Sequence, residues 1–145
     1  MSGIRFIPEK CTACGACAVA CMDQNDIDTA AGETAFCLAL RREEKGVSRY
    51  ISRICRHCED APCVGACPMD CLYKDESTGL TLYDNTACVG CGACGEACPF
   101  DAVCFFGPEG KMEKCDGCHA RQAAGLPPAC VKACPIGALV CENGR

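Results

Sequence analysis

Hydrophobic and polar positions alternate only in short runs along this chain. Phe36 to Leu40 and Arg49 to Ile54 read as two strands around the turn-prone Glu43-Glu44-Lys45-Gly46. Leu80 to Tyr83 alternates and reads as a short strand after the turn from Asp75 to Gly79. Val103 to Phe106 and Ala138 to Cys141 are two more short strands by the same signal. Ala16 to Ala20 and Gly92 to Ala97 are long enough for a helical turn or two. Gly125-Leu126-Pro127-Pro128 cannot be helix interior, because proline removes a backbone donor and its ring clashes with the preceding turn. No run approaches the roughly 18 apolar residues of a membrane span, so direct membrane insertion is not expected. No low-complexity stretch or linker divides residues 1–145, which predicts one domain with a hairpin insertion at about 28–54.

Composition changes this picture. A chain of 145 residues can bury an ordinary core, yet this one has no Trp, 5 Phe and 3 Tyr. It has 20 cysteines, far more than packing alone needs. Something other than aromatic rings must fill the interior. A Cys-dense chain is a disulfide scaffold or a set of metal sites. The start, Met1 to Lys10, has no apolar core and no cleavage pattern, so no secretory signal is read and a cytoplasmic location is expected. Thiols stay reduced there, which favours metal. The formal charge of −5 argues against nucleic acid, which wants a basic surface. Basic residues do lie beside the cysteines: Lys10, Arg56, Lys114, Arg121 and Lys132. They either offset the charge of bound metal or are ordinary surface charge.

The cysteines fall into four groups of four. Group one is Cys11, Cys14, Cys17 and Cys21, spaced x2, x2, x3. Group two is Cys55, Cys58, Cys63 and Cys67, spaced x2, x4, x3. Group three is Cys88, Cys91, Cys94 and Cys98, again x2, x2, x3. Group four is Cys115, Cys118, Cys130 and Cys134, spaced x2, x11, x3. Every group opens with x2 and closes with x3, and Pro68, Pro99 and Pro135 follow three of the closing cysteines.

That arithmetic fits iron–sulfur cubes. A cubane has four iron corners, each needing one thiolate, and the first three cysteines of a group can wrap three of them. The fourth, set off by three residues and a proline, ligates a second cluster in two-cluster ferredoxins. Pairs of groups then make interlocked sites. Gly15, Gly90, Gly92, Gly95 and Gly117 would let backbone N–H groups reach cluster sulfurs, which helps set potential. Structural zinc also uses four cysteines and Cys-x2-Cys knuckles, but does not account for triplets with a projecting fourth Cys. Cys37, Cys71, Cys104 and Cys141 lie outside the groups. They read as small packing residues, with a stand-in ligand or redox thiol as the other possibility. Gly90-x-Gly92-x-x-Gly95 matches the dinucleotide fingerprint only as a string, since that motif needs a strand–turn–helix context. No Cys-x3-Cys-x2-Cys radical triad occurs. His57 and His119 adjoin ligand cysteines, but sixteen thiols already fill four cubes, so hydrogen-bonding or solvent roles are expected of them.

The order of spacings resembles the iron–sulfur electron-transfer (beta) subunit of the DMSO reductase family of molybdopterin oxidoreductases. Three stretches carry the resemblance: Cys11 to Asn25, Cys55 to Pro68, and Lys114 to His119 with Pro127 to Pro135. It spans nearly the whole chain. It implies that groups one and four interlock, and likewise groups two and three. Cys11, Cys14 and Cys17 would then share a cube with Cys134, and Cys115, Cys118 and Cys130 with Cys21. Cys55, Cys58 and Cys63 would take Cys98, and Cys88, Cys91 and Cys94 would take Cys67. Some family members lose one ligand and hold a three-iron cluster; all sixteen cysteines are present here, so four [4Fe–4S] clusters are expected. The implied fold is α+β, with two bacterial-type ferredoxin-like units interleaved in one compact body. The implied role is a relay of single electrons for a larger catalytic subunit holding a molybdenum or tungsten pterin, with a second electron-carrier protein as a further partner. Relatives that dock a membrane anchor commonly run longer after group four than this sequence, which weakens the case for an integral-membrane partner. A free-standing shuttle between a dehydrogenase and a hydrogenase is the alternative, and a cluster-based redox sensor a third. No nucleophile–base pair or open metal site suggests substrate chemistry.

Overall fold

The structure is a computed structural model that describes residues 3–142. Its strands form four separate two-stranded antiparallel ladders. β1 (Ile4–Phe6) pairs with β8 (Leu139–Cys141), so the two ends of the described chain lie side by side, with Ile4 opposite Cys141. β2 (Leu38–Glu44) and β3 (Val47–Arg53) make the long hairpin. β4 (Leu72–Lys74) pairs with β5 (Thr81–Tyr83), and β6 (Val103–Phe106) with β7 (Lys111–Lys114). Besides two 3-10 turns, the described residues form five α-helices: α1 (Ala16–Gln24), α2 (Pro62–Ala66), α3 (Ala93–Ala97), α4 (His119–Ala123) and α5 (Ala129–Ala133). The fold is α+β, built from short pieces. Helix α1 packs against α5 and α2 against α3, so the first Cys segment meets the last and the two inner ones meet each other.

Strands β2 and β3 form a hairpin whose turn is tighter than the sequence predicts. Glu43 and Glu44 remain in strand, and only Lys45 and Gly46 turn, at φ 49° and 77°. Two left-handed residues match the twist of the flanking strands, which favours this two-residue loop. Helix α1 runs to Gln24, beyond the expected Ala20, because no proline follows Cys21. By contrast, α2, α3 and α5 each stop at a Cys in extended conformation, at Cys67, Cys98 and Cys134. Three strands (β1, β4, β7) and three helices (α2, α4, α5) go beyond the sequence reading. At three to five residues each they are too short to show a period. Helices α4 and α5 flank the predicted Gly125–Pro128 loop.

The main core gathers Phe36, Ile54 and Leu139 around Cys17, Cys21, Cys55, Cys104, Cys115 and Cys130. Phe36 stacks on Phe106 with ring centroids 6.1 Å apart. A second core joins Leu72, Val103 and Met112 to Cys94. Cysteines thus belong to both cores.

Candidate metal centres

The four Cys groups share one local construction. In each, the N–H two residues after the first cysteine donates to that cysteine's Sγ. Ala13 donates to Cys11 at 3.3 Å, His57 to Cys55 at 3.4 Å, Gly90 to Cys88 at 3.5 Å and Gly117 to Cys115 at 3.3 Å. All four donors have positive φ, at 54°, 47°, 70° and 71°. The left-handed residue folds the loop back on its own sulfur. Only two of the four are glycine, so glycine content alone under-reports these donors. Gly15 and Gly92 serve differently, as left-handed N-caps of α1 and α3. Gly95 serves close packing, since a Cβ there would stand 2.9 Å from the Phe105 ring.

The closing cysteines repeat a second device. Cys71 N–H reaches Cys67 Sγ at 3.3 Å, and Ala138 N–H reaches Cys134 Sγ at 3.2 Å. Asp70, Asp101 and Gly137, each three residues past a Cys-Pro closing cysteine, take positive φ of 52°, 52° and 66°. Group one has no proline and solves the problem otherwise. Asn25 caps α1 and extends its Nδ2 to Cys21 O at 2.9 Å and to Cys21 Sγ at 3.6 Å.

The tertiary fold brings distant cysteines together. Cys11, Cys14, Cys17 and Cys134 line one cavity, closed on its apolar side by Phe6 and Leu139. Cys67, Cys88, Cys91 and Cys94 line another, with Cys71 and Met112. The Cys21 thiol faces Cys130 and Cys118. Cys58 and Cys63 both face Cys55 and Cys98. Among the described residues no three His, Cys, Asp or Glu side chains close on one point tightly enough to hold a single metal ion. In two of the groupings the sulfurs line a cavity, and four sulfurs around a space suit a cube.

Two further groups enter this sulfur network. Lys114 is 1% exposed, and its Nζ donates to Thr81 O, to Cys115 O at 2.7 Å and to Cys55 Sγ at 3.6 Å. The other cations beside the cysteines are different: Lys10, Arg56 and Lys132 are exposed, and Arg121 bonds Pro127 O and Gln24 Oε1. His57 is buried and its Nδ1 accepts from Thr81 N–H at 3.0 Å. Burial, with Lys114 and Lys74 nearby, pushes its pKa down to about 3, so the ring is neutral and carries its proton on Nε2. That Nε2 is buried without a protein acceptor. His119 instead lies exposed, with Nδ1 2.9 Å from Asp116 Oδ2.

A family model described as "4Fe-4S dicluster domain" matches residues 46–143, more than half of the sequence. This protein belongs to the 4Fe-4S dicluster domain family. A second model, "4Fe-4S binding domain", matches residues 4–21 of this dicluster protein. It is 36% identical over 142 residues to YnfG of Escherichia coli, a probable anaerobic dimethyl sulfoxide reductase chain, covering 90% of this chain and 67% of that one. It is 38% identical over 138 residues to the thiosulfate reductase electron transfer subunit PhsB of Salmonella typhi, covering 90% and 70%. The ferredoxin-like protein YdhX of Escherichia coli is 35% identical over 135 residues, with 90% and 60% covered. The dicluster protein thus spans about two thirds of the first two and less of the third. It stands among the iron–sulfur beta subunits of the DMSO reductase family.

The thiol chemistry of the dicluster domain fits iron–sulfur clusters. Burial pushes the Cys21 thiol up to about 11, and pushes Cys63, Cys94, Cys115 and Cys118 upward too. None of these would ionise unaided, and iron supplies the positive charge that makes a buried thiolate tenable. Backbone N–H donors on Sγ, and the unpaired His57 Nε2–H, fit acceptors with excess negative charge. The glycine fingerprint is excluded as a nucleotide site: every ladder among the described residues is antiparallel, so it lies in no βαβ unit. Cys37 has company the sequence did not suggest. It is 1% exposed and its thiol hydrogen-bonds to Cys17 and Cys130. Cys71 lines the second cavity, and Cys104 lies 3.9 Å from Thr34 Oγ1.

Proposed function

We propose that this chain holds four [4Fe–4S] clusters and relays single electrons to or from a larger catalytic subunit that carries a molybdenum or tungsten pterin. The observation that carries the proposal is the first cavity, where three cysteines of group one meet Cys134 from group four. The ligand sets are Cys11, Cys14, Cys17 with Cys134; Cys115, Cys118, Cys130 with Cys21; Cys55, Cys58, Cys63 with Cys98; and Cys88, Cys91, Cys94 with Cys67. Two ferredoxin-like units nest in this reading, the outer one closed by β1 and β8. The packing of α1 on α5 and of α2 on α3 supports it.

The sets have an order. Cys37 bridges Cys17 of the first set and Cys130 of the second. Lys114 bridges Cys115 of the second and Cys55 of the third. Cys98 of the third shares a core with Cys67, Cys88 and Cys94 of the fourth. Cys14 and Cys91, one in each outer set, are the exposed ligands, which suits electron entry and exit at opposite ends. Bound clusters supply one-electron redox chemistry. The chain's own part is to hold them, keep water from the inner pair and set their potentials through N–H donors and charge. No catalytic step of its own is assigned to it. Sixteen reduced thiols call for assembly in a reducing compartment, in keeping with the cytoplasm.

Relatives named as reductase subunits favour this reading over a free-standing shuttle. Anaerobic affinity purification with metal analysis tests it. We expect about 16 iron per chain, four per cube, and a large molybdenum- or tungsten-containing companion. The same iron with no companion would restore the shuttle, and zinc would overturn the cluster reading. Pairing is tested separately by electron paramagnetic resonance (EPR). Cys134→Ser and Cys11→Ser should perturb one and the same cluster signal, and Cys98→Ser and Cys55→Ser another. Signals that pair within groups instead would refute the nesting.

A further inference from the structure

Lys114 is the residue whose position the relay alone does not explain. Lysine is almost never fully buried unless paired, and burying an ammonium costs several kcal/mol in real proteins. Lys114 is nonetheless 1% exposed, and no carboxylate pairs with it among the described residues. Its partners are two carbonyl oxygens, of Thr81 and Cys115, and one sulfur, Cys55 Sγ at 3.6 Å. The Cys63 and Cys115 thiols feel its charge as well. Strand β7 ends at this residue, so the ladder with β6 fixes where the side chain starts. A second cation, Lys74, lies close by but is spent elsewhere: its Nζ donates to the carbonyls of His57, Cys58 and Gly79 and to Thr81 Oγ1.

We infer that the Lys114 ammonium is a positioning charge shared by the two inner clusters, those bound through Cys55 and through Cys115, and that it raises both of their midpoint potentials together. The inference rests on the ligand sets proposed above. Its physical basis is that each added electron makes a cluster more negative. A buried cation beside both ligand shells stabilises the reduced form of either, and low dielectric keeps that attraction from being screened. Loss of this charge would lower the two middle steps of the relay relative to its ends. The negative charge of two thiolate-bound cubes is also what offsets the burial of Lys114.

The test is a potentiometric titration of the holo complex followed by EPR, on wild type, Lys114→Met, Lys114→Gln and Lys114→Arg. Iron and signal counts on wild type come first. Fewer than four cluster signals there would fail the ligand-set reading, independently of Lys114. With four present, removing the charge should shift the reduction equilibrium of two clusters at least tenfold toward the oxidised form, which is about 59 mV for a one-electron couple. The other two should move less, and Lys114→Arg should hold the inner potentials near wild type. Movement of one cluster alone, of none, or an equal shift in the arginine and neutral variants would overturn the inference. Gln keeps donors for the Thr81 and Cys115 carbonyls, so it covers the case in which Met fails to fold. If both neutral variants load poorly, iron decides: loss confined to about 8 of 16 atoms supports a charge shared by two cubes, and loss of all four clusters overturns it.

Discussion

Gly90→Ala tests how tightly the loops of the third Cys group are built into the fold. Gly90 sits at φ +70° and its N–H reaches Cys88 Sγ at 3.5 Å. A Cβ there would stand 2.6 Å from Glu109 O and 3.0 Å from Gly110 O. Both oxygens belong to the backbone of the β6–β7 turn, so no rotamer change relieves the clash. Pushing that turn away also moves Met112, whose N–H is the second donor to Cys88 Sγ, at 3.3 Å. Gly15→Ala is the matched control: φ is +84° and nothing lies within 4 Å of the added carbon. Both substitutions cost about 1–2 kcal/mol for an L-residue in the left-handed region. Gly90→Ala alone adds overpacking, about 1–3 kcal/mol. Cluster loss is irreversible, so a rate is the proper measure of stability. The assay is anaerobic bleaching of the cluster absorbance of holo protein at one fixed guanidinium concentration. If the turn contact is broken in the unfolding transition state, the whole difference enters the rate. Gly90→Ala should then bleach roughly 5- to 150-fold faster than Gly15→Ala. Gly117→Ala should fall between them, since the nearest atoms to its Cβ belong to the Leu80 side chain, at 2.7 Å, and not to backbone. Equal rates for Gly90→Ala and Gly15→Ala, or a faster Gly15→Ala, would refute the packing argument.

Asn25→Leu removes the donor to Cys21 Sγ and O; we expect a loss of about 1 kcal/mol and a lower midpoint potential for one cluster only, read by EPR titration. Phe36→Ala opens the main core beside Phe106 and should cost about 3–5 kcal/mol, lowering the bleaching temperature by about 6–20 °C; a drop under about 3 °C would mean the stacked pair carries little. Stripping iron with a chelator under reducing conditions should abolish most tertiary structure, because cysteines of the four groups are members of both cores. Retention of native near-ultraviolet dichroism after iron removal would contradict that.

Much of the site was legible before any fold was known. The Cys-x2-Cys opening is a local loop, and its geometry depends on a few neighbouring backbone angles. Its sulfurs and their spacing could therefore be read directly. The donors Ala13 and His57 were not, because positive φ at a non-glycine leaves no composition signal. Asn25 stood within a motif, but its bond to Cys21 needed the side chain placed. The strands 36–40 and 49–54 were found within a few residues, since their alternation extends over a real hairpin. Strands β1, β4 and β7 were not, because three or four residues cannot display a period and only their partners make them strands. Lys114 stood in a group of five cations that sequence could not tell apart. Burial separated it from the other four.

The sequence by itself pointed to the kind of cofactor and to the four cysteine groups, because those follow from thiol chemistry and spacings of a few residues. The tertiary structure alone shows that Cys134 lines one cavity with Cys11, Cys14 and Cys17, that Cys67 lines another with Cys88, Cys91 and Cys94, and that Lys114 is the cation drawn inside. These depend on contacts between segments far apart in the chain, such as α1 with α5 and Ile4 with Cys141. Local spacing carries no information about such encounters, since the intervening residues can close the loop in many ways and only the packed core selects one.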